Sequence, residues 1–273
     1  MPDNIVTIDF RRHFRLQPGD CVLDLGSGNG RHTIEMCAWP VWVISVDVDA
    51  EELRRARYYL ETPPGVSPFD AEGRRRHRRQ NPGRADFLVA DAQHLPFKDG
   101  AFDKVLCTEV LEHIPDDKLG IRELFRVAKA GAGVAVSVPR YWPERVFWTL
   151  SWDYWHTPGG HVRMYRPGEM YSYLSAQGFE IERMRHRHSF QAIYWLLRCA
   201  FGKNNEGRLL PRTMFRFITW YHRSRPKLIE RFEATLNLVA GKDMVHYGRK
   251  PAGPGPNGAR AREEAMRETR ALS

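Results

Sequence analysis

Between residues 20 and 139 the chain alternates two textures. Short apolar runs, DCVLDL (20–25), VWVISVD (41–47), DFLVAD (86–91), DKVLCTE (103–109) and GVAVSVP (133–139), are separated by RHTIEMCAW, EELRRARYYLE and DDKLGIRELFRVAK. The runs read as strands buried on both faces, and the intervening segments, apolar at three- and four-residue intervals, as the helices that cover them. Strand and helix in alternation predict an α/β fold built on a parallel sheet.

Two stretches break this rhythm. TPPGVSPFDAEGRRRHRRQNPGRA (62–85) is rich in Pro, Gly and Arg and reads as an exposed insertion between the second helix and the third strand. After residue 139 the aromatic density rises, with six of the eight tryptophans in residues 140–220. PGEMYSYLSAQG predicts a helix stopped by Gly178, FEIERMRHR a strand, and MVHYGRKP a last strand. FQAIYWLLRCAFG reads as a lid over an apolar substrate, a helix on a membrane surface, or a packed helix. The predicted organisation is a core over 1–139 carrying the basic insertion, a substrate cap plus the last two strands over 140–250, and a disordered tail over 251–273.

Composition narrows the class. At 273 residues, with 42% hydrophobic and 27% charged positions, the chain is an enzyme-sized globular protein. Net charge is +9, concentrated in residues 72–84 (six Arg against one Glu) and 179–250 (15 Lys or Arg against six acids). Such patches fit an anionic partner, with contact at an anionic membrane surface as one form, or simply a solubilising surface. No run of about 18 uncharged apolar residues occurs and the first 20 residues lack a signal-peptide pattern, so the expectation is a cytoplasmic protein. Cys21, Cys37, Cys107 and Cys199 are widely spaced, which predicts free thiols and no metal site.

The chemistry concentrates in VLDLGSGNGRHT (22–33). An apolar strand delivers Asp24, then Gly26, Gly28 and Gly30, into a tight turn ahead of a helix, and glycine lets backbone approach a ligand there. A dinucleotide fingerprint needs a third glycine where Arg31 stands, and Asp24 would repel a pyrophosphate. S-adenosyl-L-methionine has no phosphate and carries two positive groups, so it fits. Asp47 closes the second strand, where a carboxylate can accept from both ribose hydroxyls. Asp49 is better placed to cap the following helix. Asp91-Ala92 and Thr108-Glu109 end the third and fourth strands, so four strand ends face one crevice.

VLDLGSGNGRHT, VISVDVDAEEL, VADAQHLPFKDGAFDKV and CTEVLEHIPD, in that order over residues 20–139, resemble a class I S-adenosylmethionine-dependent methyltransferase of the broad small-molecule type. The resemblance implies a Rossmann-like seven-stranded sheet with the last strand antiparallel, here with a helical insertion of about 60 residues before that strand. The cofactor residues it implies are Asp24, Gly26, Ser27, Gly28, Gly30, Asp47, Val48, Asp91, Ala92 and Glu109. It leaves the acceptor open.

Methyl transfer depends chiefly on proximity, and a base helps where the acceptor is a hydroxyl. His113, in the EHIPD turn, and His161, in WDYWHTPGGHVRMYRPGEM, are the candidate catalytic residues; each could equally be structural. Tyr141, Trp155, His156, Arg163 and Tyr165 are the candidate acceptor contacts. The expected activity is O-methylation of a small or amphiphilic molecule. An RNA methyltransferase and a cofactor-binding scaffold without catalysis are the alternatives, and nucleic acid is disfavoured because no RNA-binding module is recognisable.

Overall fold

The computed structural model describes residues 6–62, 83–151, 160–201, 209–224 and 226–253. Most of the basic insertion, Trp155 and His156, and all but the first residues of the tail lie outside them. The elements run β1 (Cys21–Leu25), α1 (Arg31–Met36), β2 (Trp42–Asp47), α2 (Ala50–Glu61), β3 (Arg84–Val89), β4 (Phe102–Thr108), α3 (Asp117–Val127) and β5 (Ala128–Pro139). They continue with α4 (Tyr141–Leu150), α5 (Glu169–Gln177), β6 (Glu180–Arg187), α6 (Ser189–Phe201), α7 (Leu209–Ser224), α8 (Lys227–Ala240) and β7 (Asp243–Arg249).

The strands form one seven-stranded sheet in the order β3-β2-β1-β4-β5-β7-β6. β1 pairs in parallel with both β2 and β4, so Leu23 lies beside Ile44 on one side and Val105 on the other. β7 runs antiparallel between β5 and β6. Strand order reverses at β1, which opens a crevice at the carboxyl ends of β1 and β4, the place where ligands bind in open α/β sheets.

Both faces of the sheet are covered. Leu23, Val105 and Val134 pack under α3 and α5 through Leu124 and Leu174, while Val22, Val43 and Leu106 pack beneath Phe10 and Phe14 of the N-terminal segment. Local signals agree with these elements: Asp49 caps α2 by accepting from the amides of Glu51 and Glu52, and Gly178 ends α5 with φ +112. The four cysteines are free thiols, three of them buried.

α4 departs from the sequence expectation, which placed no helix at YWPERVFWTL. Pro143 falls in its first turn, where backbone N–H groups have no intrahelical partner, so the helix tolerates it. The segment FQAIYWLLRCA is a packed helix rather than a surface one. α6 touches α4, α7 and α8, and its Phe190 and Tyr194 form a separate core with Ile218 and Tyr221 of α7. Among the described residues no helix is long and apolar enough to cross a membrane.

Candidate functional site

The crevice begins at the turn after β1. Gly26 has φ +67, and a Cβ there would overlap the side chain of Val110 in the loop after β4. Gly28 has φ +52, but nothing lies within 4 Å of where its Cβ would stand. One glycine lets two loops touch; the other leaves one side of the turn open to a ligand. The turn is held on β2: Gly26 N donates to Val46 O at 2.7 Å, and Gly28 N donates to Asp47 Oδ2 at 2.8 Å.

Beneath it, Asp24 is fully buried. Its Oδ2 accepts from Thr33 Oγ1 at 2.6 Å, while Oδ1 has no hydrogen-bond partner. Burial raises the Asp24 carboxyl to about 6, against which the Thr33 hydrogen bond and the nearby Arg31 charge act only in part. Ser45 Oγ bridges Thr33 to Ser27 Oγ, joining the loop to the strand below.

At the β2 end, Asp47 accepts from Gly28 N and, through Oδ1, from Asp49 N at 2.9 Å. A carboxylate has about four lone-pair sites, so two remain for a vicinal diol. Val48 is 76% exposed, an apolar side chain standing beside that carboxylate as a face for an aromatic ring. Asp91 accepts from Gln93 N at 2.9 Å, which holds its carboxyl below the usual range, and Ala92 is buried next to it. These residues fit S-adenosylmethionine: an open glycine turn, an acceptor for ribose, and an unsatisfied carboxyl oxygen under the loop.

Glu109 opens the loop after β4 and is tied to β5 and to the start of β7. It adopts φ +57, accepts from Ser137 Oγ at 2.8 Å and lies 3.6 Å from Lys242 Nζ, so its carboxylate serves the β5 and β7 side. Burial raises its pKa, and the neighbouring Asp243 adds to the effect.

The loop after β4 then meets the chain at 160–165. His113 Nδ1 lies 3.2 Å from Gly160 O, and Val162 N donates to Glu112 O at 2.9 Å. The pairing brings His113 and His161, 48 positions apart, to a ring-centroid distance of 4.9 Å, edge to face. His161 Nδ1 sits 2.9 Å from Oε2 of Glu144, a buried carboxylate in the first turn of α4. Glu112 is also buried, with neither carboxylate oxygen hydrogen-bonded, and His113 Nε2 is 4.0 Å from its Oε1. Burial, reinforced by Glu109, drives the Glu112 pKa well upward.

Sequence reasoning named the two histidines and missed both carboxylates. Glu112 adjoins His113, and that adjacency was its signal; Glu144 is linked to His161 only through the fold. Glu112, His113 and His161 each offer a ligand atom, all within 4.8 Å of one another, which is also the donor set of a cation site with two histidines and one carboxylate.

Arg163 and Tyr165, expected at the acceptor, are committed to the fold. The guanidinium donates to Leu111 O at 3.2 Å and Pro115 O at 2.6 Å and pairs with Asp117 at 3.4 Å. Tyr165 is 2% exposed and donates to Asp117 Oδ2, and burial raises its pKa. Tyr141 opens α4, half-buried and edge-on to Trp142. Trp155 and His156 lie outside the described residues.

The family model of a methyltransferase domain matches residues 8–183. The chain is 32% identical over 122 residues to the 27-O-demethylrifamycin SV methyltransferase of Amycolatopsis mediterranei, covering 44% of this chain and 39% of that protein. It is 30% identical over 127 residues to the demethylmenaquinone methyltransferase of Corynebacterium urealyticum, covering 46% and 45%. The chain thus spans less than half the length of these curated relatives. A SAM-dependent methyltransferase of Methanosarcina mazei superposes with a TM-score of 0.58 over 91% of this chain and all of that one, at 19% identity. The chain belongs to the methyltransferase-domain family and has the fold of S-adenosylmethionine-dependent methyltransferases.

Proposed function

We propose that the protein moves a methyl group from S-adenosylmethionine to a hydroxyl oxygen of a small or amphiphilic acceptor, with His161 as the base and Glu144 as the residue that positions it. The hydrogen-bonded pair of His161 and Glu144 carries this reading. A carboxylate on Nδ1 holds that nitrogen protonated and leaves Nε2 as the basic atom of the ring, as a general base requires. When bound, the cofactor supplies an electrophilic methyl group on a sulfonium. The chain's part is to hold that molecule on the Gly26–Gly30 turn and Asp47, to admit the acceptor beside the histidines, and to take the hydroxyl proton at His161. Glu112 has a raised pKa beside them and is suited to stay protonated and donate to the acceptor's polar group.

Small acceptors are supported by the names of the curated relatives, which specify 27-O-demethylrifamycin SV and demethylmenaquinone. The test is to incubate the protein with S-adenosylmethionine and a panel of phenols, quinols and hydroxylated lipids, and to read methylated product by mass spectrometry. Product on an oxygen, lost in His161→Ala with cofactor binding intact, is the expected result. Transfer to RNA alone, or cofactor binding with no transfer to any acceptor of the panel, would overturn it.

A further inference from the structure

The outward faces of α4, α7 and α8 share a composition unlike the rest of the surface. Of the 19 large hydrophobic side chains exposed among the described residues, ten lie on these three helices. On α4 they are Trp142, Val146 and Leu150, spaced by four so that they form one stripe, with exposed Arg145 among them. On α7 the exposed stripe holds Leu209, Arg216 and Trp220, with Arg212 alongside. On α8, Leu228, Phe232 and Val239 repeat at helical spacing beside exposed Lys227 and Arg231, and Leu228 and Val239 are 79% and 80% exposed.

The charges on these faces have one sign. Each exposed ionisable residue described on the three helices is basic, and none of their acids is exposed. Glu144 is buried against His161, Glu230 and Glu233 are half-buried, and Glu233 accepts from Tyr221 Oη at 2.6 Å. All three helices pack on α6, which consumes their inner faces and leaves these outer ones to meet something else.

We infer that the faces of α7 and α8, both of which pack on the Phe190 and Tyr194 side of α6, dock the protein on an anionic lipid bilayer, apolar side chains entering the interface and the cations lying at the headgroups. Apolar stripes flanked by Arg and Lys are what such a surface selects, since burial and headgroup attraction act together. A second copy joined face to face through a two-fold axis would set these cations against one another. A nucleic acid would satisfy the cations but offers no apolar phase for Leu228 or Val239. The α4 stripe takes no part in this surface, because α4 packs on the opposite side of α6, where Phe147 meets Ala192 and Cys199.

The test is co-sedimentation of the full chain with vesicles of phosphatidylcholine alone and of phosphatidylcholine mixed with phosphatidylglycerol, without cofactor or acceptor. Binding to the anionic vesicles only, weakened by salt, is expected. Arg212→Gln with Arg216→Gln should lower the partition coefficient roughly thirtyfold, each cation contributing about 1 kcal/mol near such a surface. Leu228→Ser with Val239→Ser should lower it at least about tenfold. Cofactor-induced thermal stabilisation, measured on each variant, reports that the fold is intact. No binding to anionic vesicles by protein that still responds to cofactor would overturn the inference. So would vesicle binding indifferent to both double variants, or a dimer in solution that Leu228→Ser with Val239→Ser dissolves. Because no turnover is read, failure here leaves the proposed reaction standing, and failure to find an acceptor leaves the docking result standing.

Discussion

Glu144 Oε2 lies 2.9 Å from His161 Nδ1, although the two residues sit 17 positions apart with undescribed chain between them. α4 supplies the carboxylate and the return of the chain along the loop after β4 supplies the ring. If the pair acts as proposed, His161→Ala should lower kcat by about 10²–10⁴ with little change in cofactor affinity. Glu144→Gln should give a smaller loss and move the acidic limb of the kcat/KM profile against pH, because an amide cannot stabilise the imidazolium as a carboxylate does. A pH profile unmoved by Glu144→Gln would show that the carboxylate only supports the fold.

The two glycines of the turn should separate experimentally. Both require left-handed backbone, which costs a non-glycine residue about 1–2 kcal/mol. Gly28→Ala meets open space and should carry that cost alone, whereas Gly26→Ala must also displace Val110 and with it the loop that bears Glu112 and His113. We expect Gly26→Ala to be the less stable variant by thermal melting and to lose turnover even where cofactor still binds. Equal effects of the two substitutions would contradict the contact between the loops.

What the sequence made legible, and what it left hidden, follows the range of each interaction. The glycine turn, the Asp49 cap and the Gly178 stop are local patterns that lie where predicted, and the strands lie close to theirs, though β3 begins two residues early, inside the segment read as insertion, and β5 begins at Ala128, five residues before its apolar run. The antiparallel run of β7 came from the family resemblance rather than from spacing, and its place between β5 and β6 was seen only in the fold. α4 was hidden by Pro143, and Glu144 by its dependence on a partner that only the fold supplies. Arg163 and Tyr165 looked like ligand contacts because they are polar groups after an aromatic segment; their true partners, Leu111 O, Pro115 O and Asp117, lie about 50 residues earlier.

His246 supplies a stability prediction. Its ring is buried in β7 with neither nitrogen hydrogen-bonded, and burial, aided by the nearby His186, lowers its pKa from 6.5 to about 4. The unfolded chain therefore binds this proton more readily than the folded one. The group's contribution is constant above about 6.5 and stability falls as pH drops from there toward 4, by about 3 kcal/mol in all. His246→Leu removes both the proton and two unsatisfied nitrogens, so denaturant unfolding should show a flatter pH dependence across that range and equal or greater stability at neutral pH. An unchanged slope would show that His246 is not the titrating group.

Glu112, His113 and His161 could also receive a cation, and the two roles are separable. The base mechanism needs none, so protein treated with EDTA and dialysed should keep its turnover. Activity lost on that treatment and restored by Mn²⁺ or Zn²⁺ would reassign the cluster to metal binding.

The account stands on the crevice being built for S-adenosylmethionine, and calorimetric titration of the purified protein tests that most directly. S-adenosylmethionine and its demethylated product should each saturate a single site, and NAD should give no binding heat. Asp47→Ala should weaken the methyl donor by about 1.5–3 kcal/mol, the loss of charge-assisted hydrogen bonds to ribose, in a protein that remains folded. Saturable binding of NAD with none of S-adenosylmethionine, or donor affinity untouched by Asp47→Ala, would contradict the assignment of the site.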